Sequence, residues 1–158
     1  MISKLFNFGF FKKYKEYAPV FLRLLIGVFI IHGVQDNVFS SVHMQEFAQF
    51  LHMKNVPFPL FSAYLSAYAQ MICGISILLG VFVRPFAVLF IINFIAAVVI
   101  AHIGDGFRAM FPALMMIAAG FFFLFNGAGK LSVDELLERR NARFDHGEAV
   151  SSNIRLTN

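Results

Sequence analysis

The sequence has no tryptophan, a single cysteine (Cys73) and few charged residues: Asp, Glu, Lys and Arg together make up 14% of its 158 positions. One cysteine excludes an intramolecular disulfide, a dithiol redox cycle and a thiolate metal cluster, and no CxxCH haem-attachment motif is present. The shortage of charge excludes more. A soluble domain carries about a quarter charged residues, whereas this chain is 59% hydrophobic, with 22 phenylalanines and a mean hydropathy of +0.73. Its formal charge of +4 does not indicate nucleic acid, because the basic residues sit at the ends of apolar runs and form no stripe.

What is present is length and apolarity together. A hydrocarbon core of ~30 Å is crossed by about 20 mostly apolar residues in a helix. Four segments meet this: residues 18–39, 60–83, 85–103 and 108–126. Lipid offers the backbone no hydrogen-bond partners, so these spans must be helical. Pro85 fits the first turn of the third span, where its missing N–H costs nothing. With their junction at Val83 and Arg84, the second and third spans are expected to form a tight hairpin.

Of thirteen Lys and Arg residues, only Lys54 and Arg108 fall on one side of this four-span arrangement. The positive-inside rule then predicts that both termini are cytoplasmic. The expected architecture is all-α: an integral membrane four-helix bundle over residues 18–131. Residues 1–17 form an amphipathic segment, retained rather than removed as a signal peptide, whose phenylalanines rest on the membrane while Lys12, Lys13 and Lys15 meet headgroups. Residues 132–158 form a cytoplasmic tail opening on a short helix. Two small-residue stripes read as packing seams: Ala63, Ala67, Gln70 and Gly74 on the second span, and Ala109, Ala113, Met116 and Gly120 on the fourth.

Polar residues within the spans are the candidate site. His32 lies ~21 Å beyond Ala18 along the first helix, with Asp36 one turn further on the same face. Gln70 and His102 reach comparable depth from the second and third spans. Buried polar groups at such depth face protein or a wet cavity, so His32, Asp36, Gln70 and His102 are expected to turn inward and bind a ligand. The structural alternative for His32 is a neutral imidazole bonded to a neighbouring helix. Arg23 and Arg84 anchor the cytoplasmic level, either by snorkelling or by pairing with Asp134 and helix-end carbonyls near Asn126 to lock the bundle floor.

In "GAGKLSVDE", Gly127 and Gly129 can end the fourth helix at positive φ, Lys130 suits its carbonyl-rich end, and Ser132 with Glu135 makes a capping box. The outer loop is expected to bury Val42, Met44, Phe47, Phe50 and Leu51 on one side of an interfacial helix ending before Pro57. His43-Met44 and His52-Met53 are a soft ligand set of the kind copper(I) favours. The nine-residue offset of the two histidines makes a single helical site awkward, and surface amphipathy accounts for the methionines. No metal is assigned.

"LRLLIGVFIIHG", "GISILLGVFVRPFAVL", His102 and "NGAGKLSVDELL", in this order, resemble the DoxX family of small four-helix bacterial inner-membrane proteins. The resemblance implies a setting in membrane redox systems, related chains forming the membrane part of a thiosulfate:quinone oxidoreductase. It maps the family's features onto Arg23, His32, Gly33, Arg84, Gly127, Gly129, Lys130, Ser132 and Asp134. Gln70 stands where the family often has Glu, and cannot accept a proton; Asp36 stands where a basic residue is common.

The expected function is therefore a membrane subunit of a redox system that binds quinone or anchors a partner oxidoreductase, itself non-catalytic. Quinone is the candidate cofactor. A partner redox protein and a second copy of the chain are candidate partners beside the lipid bilayer. The alternative is a non-enzymatic scaffold or assembly factor for an exported or metal-handling partner. A transporter fits less well, since no Asp, Glu, Lys or Arg lies near the midplane of any span.

Overall fold

A computed structural model of the chain describes residues 13–101, 104 and 106–142. His102, Asp105 and most of the N-terminal amphipathic segment lie outside the described residues. A short 3-10 turn, Lys15–Tyr17, leads into α1 (Ala18–Phe39); α2 (Ser41–Met53), α3 (Pro59–Leu79), α4 (Val83–Ala101) and α5 (Phe107–Asn126) follow. Residues 133–142 are helical again, and no strand occurs among the described residues. The helices α1, α3, α4 and α5 are each long and apolar enough to cross a membrane.

Local chemistry explains the ends. Ser40 caps α2, its hydroxyl accepting from the His43 backbone N–H, as a serine in extended conformation does at a helix start. Pro59 opens α3 at a first-turn position. Gly80, at φ +71°, closes it, and the Gly80 and Val81 N–H groups both donate to the Ser76 carbonyl. The connection to α4 is therefore Gly80–Phe82 rather than Val83 and Arg84, which already belong to the first turn of α4. The apolar run from Ile77 to Val83 hides this stop, because in lipid a continuing helix and a turn have the same composition.

Lipid tails are as apolar as the side chains, so helices associate here by close packing rather than by escape from water. Three glycines allow it. A Cβ at Gly27 would lie 2.8 Å from the Leu78 Cβ, and one at Gly74 would lie 2.9 Å from Ile31, fixing α1 against α3. A Cβ at Gly120 would lie 2.6 Å from Ile91 and brings α4 and α5 together in the same way.

The core divides by depth. In the half nearer the termini, Ile26, Ile30, Cys73, Ile77, Phe90 and Phe123 pack with neighbours from all four spans. In the other half, Val34, Ala63 and Ala67 pack under Met44, Ala48 and Leu51 of α2. There α4 after Ile91 and α5 before Ala113 contribute no buried residue among those described. Ala109, expected in a packing seam, is exposed, and so is Val42 on α2. The bundle is thus packed through at one end and half open at the other. Lys54, beyond α2, ties the open end by donating to the Ala101 carbonyl at 2.9 Å.

Candidate functional site

Two polar groupings arise from this architecture. The first lies where α3 meets α4. Asn93 is ~15 Å along α4 from Val83, near the middle of the span. Across the interface, Ser66 Oγ donates to Asn93 Oδ1 at 2.9 Å. Gln70, one turn along α3 from Ser66, donates from Nε2 to the same hydroxyl at 3.1 Å. The serine hydroxyl accepts one bond and donates another, so it is satisfied. Asn93 is not: its Nδ2 is buried with no hydrogen-bond partner. All three side chains are half-buried and face the level where the bundle starts to open.

An amide at that depth without a partner is costly, because no water is available to take the bond. Turning the Asn93 amide over does not remove the deficit. It would exchange a free donor for a free acceptor, as carboxamide chemistry dictates. The grouping is neutral throughout, so it can bind and orient a polar atom but cannot supply a proton.

The second grouping is at the end that carries the termini. Arg23 on α1 is 2% exposed, and its Nη2 donates to the carbonyls of Lys130 at 3.1 Å and Leu131 at 3.0 Å. Asp134 accepts from the backbone N–H groups of Phe82 at 2.7 Å and Val83 at 3.1 Å, the unsatisfied donors that open α4. Its own N–H donates to the Gly80 carbonyl. Ser132 accepts from the Glu135 N–H at 3.1 Å, while Glu135 reaches back to the Leu131 N–H at 3.0 Å. This is the capping box read from the sequence, its return bond displaced by one residue.

Lys130 pairs with Glu16 at 3.2 Å and with Glu135 at 2.8 Å. These bonds, the one to Glu135 foremost, raise the lysine above its ordinary pKa. The Lys130 bond chiefly holds the Glu135 carboxyl below its own ordinary value.

Glycines make room for this floor. Gly80 lies against the Arg23 guanidinium, and Gly127, at φ +73°, has the Arg84 Nε 3.4 Å from where a Cβ would stand. Around them lies an open cleft of about 610 Å³, lined by Lys15, Arg84, Gly127, Lys130 and Glu138 among others. Arg84 is exposed in it. Arg23 thus meets carbonyls of the segment that follows α5, and among the described residues no hydrogen bond or ion pair joins it to Asp134 or to a carbonyl near Asn126.

The structure does not bring the expected ligand-binding residues together. Arg23, Ile26, Gly27, Ile30 and Val34 define the inner face of α1, and His32 and Asp36 lie on the opposite, exposed face. Their inward orientation is therefore corrected: α1 is apolar on all sides, and its contact with α3 through Gly27 and Gly74 sets the rotation. Gln70 does face protein. Of the outer-loop pairs, Met44 is buried at 1% exposure on the inner face of α2 while Met53 is 72% exposed; His43 and His52 are exposed too. Among the described residues no group of three His, Cys, Asp or Glu could hold a metal ion.

Asn93 and Ser66 escaped the sequence reading. The signal was a lone asparagine in an otherwise apolar span, with a serine four residues, about one helical turn, before Gln70 on the facing helix.

Comparison with known proteins matches residues 18–103 to the family model described as DoxX. An uncharacterized membrane protein of Mycobacterium tuberculosis is 28% identical over 139 aligned residues, spanning 78% of this chain and 83% of that one. No solved structure matches the chain significantly.

Proposed function

From the premise that this chain belongs to the DoxX family of membrane proteins, we propose that it is the membrane subunit of a redox system and holds a quinone between α3 and α4. The observation that carries this reading is the unpaired amide nitrogen of Asn93, buried at mid-membrane beside Ser66 and Gln70. A quinone offers carbonyl oxygens that accept from such a donor, and an isoprenoid tail suited to the half-open outer half of the bundle. When bound, it would supply two-electron chemistry that no side chain here can perform. Asn93, Gln70 and Ser66 would bind and orient its ring. Being neutral, they would leave protons to water or to a partner subunit.

The charge asymmetry of the loops supports an orientation with both termini in the cytoplasm. That would put the floor cleft, with Arg84 at its edge, on the side where a cytoplasmic oxidoreductase docks. Exposed Leu131 and Leu136 beside it favour such a docking role as a second reading.

The test is purification in mild detergent followed by mass spectrometry of the extracted lipids. Quinone should co-purify with the wild-type protein and be lost from Asn93→Leu. Equal quinone in both, or none in either while the protein is folded, would remove the proposal. A co-purifying soluble oxidoreductase without quinone would favour the second reading.

A further inference from the structure

The outward face of α1 has no explanation in the fold so far. Leu25, Phe29, His32, Asp36 and Phe39 are all exposed on it, spaced four, three, four and three residues apart. That spacing keeps them on one stripe of the helix and is the repeat by which two helices pack side by side in a left-handed pair. Three members are large and apolar, as a lipid-facing surface would be. His32 is not, and it lies ~10 Å inside the Phe39 end of the span. An ionisable residue at that depth is costly against lipid and normally faces protein or water. The bundle provides no such partner, since no hydrogen bond or ion pair joins His32 to any described residue.

We propose that this face binds a second copy of the chain, α1 against α1 in parallel about a two-fold axis along the membrane normal. In such a pair each stripe residue enters a hole formed by four residues of the facing helix. His32 would enter the hole made by Phe29, His32, Gly33 and Asp36 of the second copy. Two features of that hole select it. Asp36 is the one acidic residue on the stripe, and its carboxylate can accept a hydrogen bond from the imidazole N–H. Gly33 leaves the space, because it carries no side chain and faces open surroundings, where a Cβ would meet nothing within 4 Å. The contact is self-complementary: His32 of each copy meets Asp36 of the other, as a two-fold interface requires. The second copy is preferred over an unrelated partner because one short stripe supplies both halves of the pair.

The test uses single cysteines in a Cys73→Ala background, oxidised in native membranes with copper phenanthroline. Leu25→Cys and Phe29→Cys should give a covalent dimer well above that of Ile75→Cys, which is exposed at similar depth on α3. In nanodiscs the wild-type protein should have the mass of two chains, and His32→Leu should dimerise about tenfold more weakly. Asp36→Asn should weaken it in the same direction. Because these positions face outward, their variants should keep the helical content of the wild type, which circular dichroism verifies. A wild-type mass of one chain, cross-linking no better than at Ile75, or a dimer indifferent to His32 and Asp36 would each overturn the proposal. A covalent product with a different protein would do so too.

Discussion

The Arg23 Nη2 on the first span stands 3.0 Å from the carbonyl oxygen of Leu131, 108 residues later in the chain. The bond joins the start of the bundle to the segment that leaves it, and Asp134 extends it by capping the first turn of α4. Three connections of the chain therefore meet at one guanidinium. Arg23 keeps two nitrogens, Nε and Nη1, buried without hydrogen bonds, so its charge relies on the nearby carbonyls and on Asp134.

Gly80 should be the most sensitive glycine of the floor. Its φ of +71° is in the left-handed region, and a Cβ there would run into the Arg23 guanidinium and lie 2.6 Å from the Ser132 Cβ. Gly80→Ala should cost on the order of 2 kcal/mol or more. Gly104→Ala has a positive φ but open space around it, and should cost less. Thermal unfolding of both variants in the same detergent checks the order.

Asp134→Ala removes two acceptors from the α4 start and leaves Arg23 without its counter-charge. A loss of about 2 kcal/mol is expected, because two backbone N–H groups lose their acceptor. Asp134→Asn keeps an oxygen for one N–H but not the charge, and should fall between. Pairing each variant with Arg23→Met in a double-mutant cycle should give a clear coupling energy; strictly additive losses would contradict the geometry.

Asn93→Leu and Ser66→Ala should behave differently in the unliganded protein. The leucine removes an amide whose nitrogen is already unpaired, so stability should change by less than about 1 kcal/mol. Ser66→Ala leaves both the Asn93 oxygen and the Gln70 nitrogen without a partner, and should cost about 1–2 kcal/mol. Equilibrium unfolding of both variants would separate the two cases.

The ion cluster around Lys130 sets a pH window. Glu135 is held below its ordinary value, so its contribution is present above about pH 4.3, the unfolded value, and is lost as pH falls through the lower folded one. Lys130 is raised, so its contribution is present below about pH 10.4 and is lost as pH rises through its folded value. The unfolding temperature should be flat from pH 5 to 9 as far as this cluster is concerned and fall on acidification. Glu135→Gln should flatten part of the acid fall. The effect should be small and shrink in high salt, because these groups are open to solvent.

The sequence by itself determined that the chain crosses a membrane four times in helices, because span length and unsatisfied backbone leave lipid no other solution. It also marked the floor: Gly127, Gly129, Ser132 and Glu135 announce a helix stop and a cap through backbone chemistry that is local to them. The cap that Asp134 places on α4 spans about fifty residues of chain and was not legible. The rotation of α1 was not legible. A helix apolar on every side has no periodicity to point inward, and only the close approach of Gly27 and Gly74 decides that Arg23 is buried while His32 is not. The partnership of Ser66 and Asn93 was equally out of reach, since it spans 27 residues and depends on how far two helices are turned toward each other. Composition governs where a segment resides; which of its side chains meet is settled by packing between helices, where lipid exerts no preference of its own.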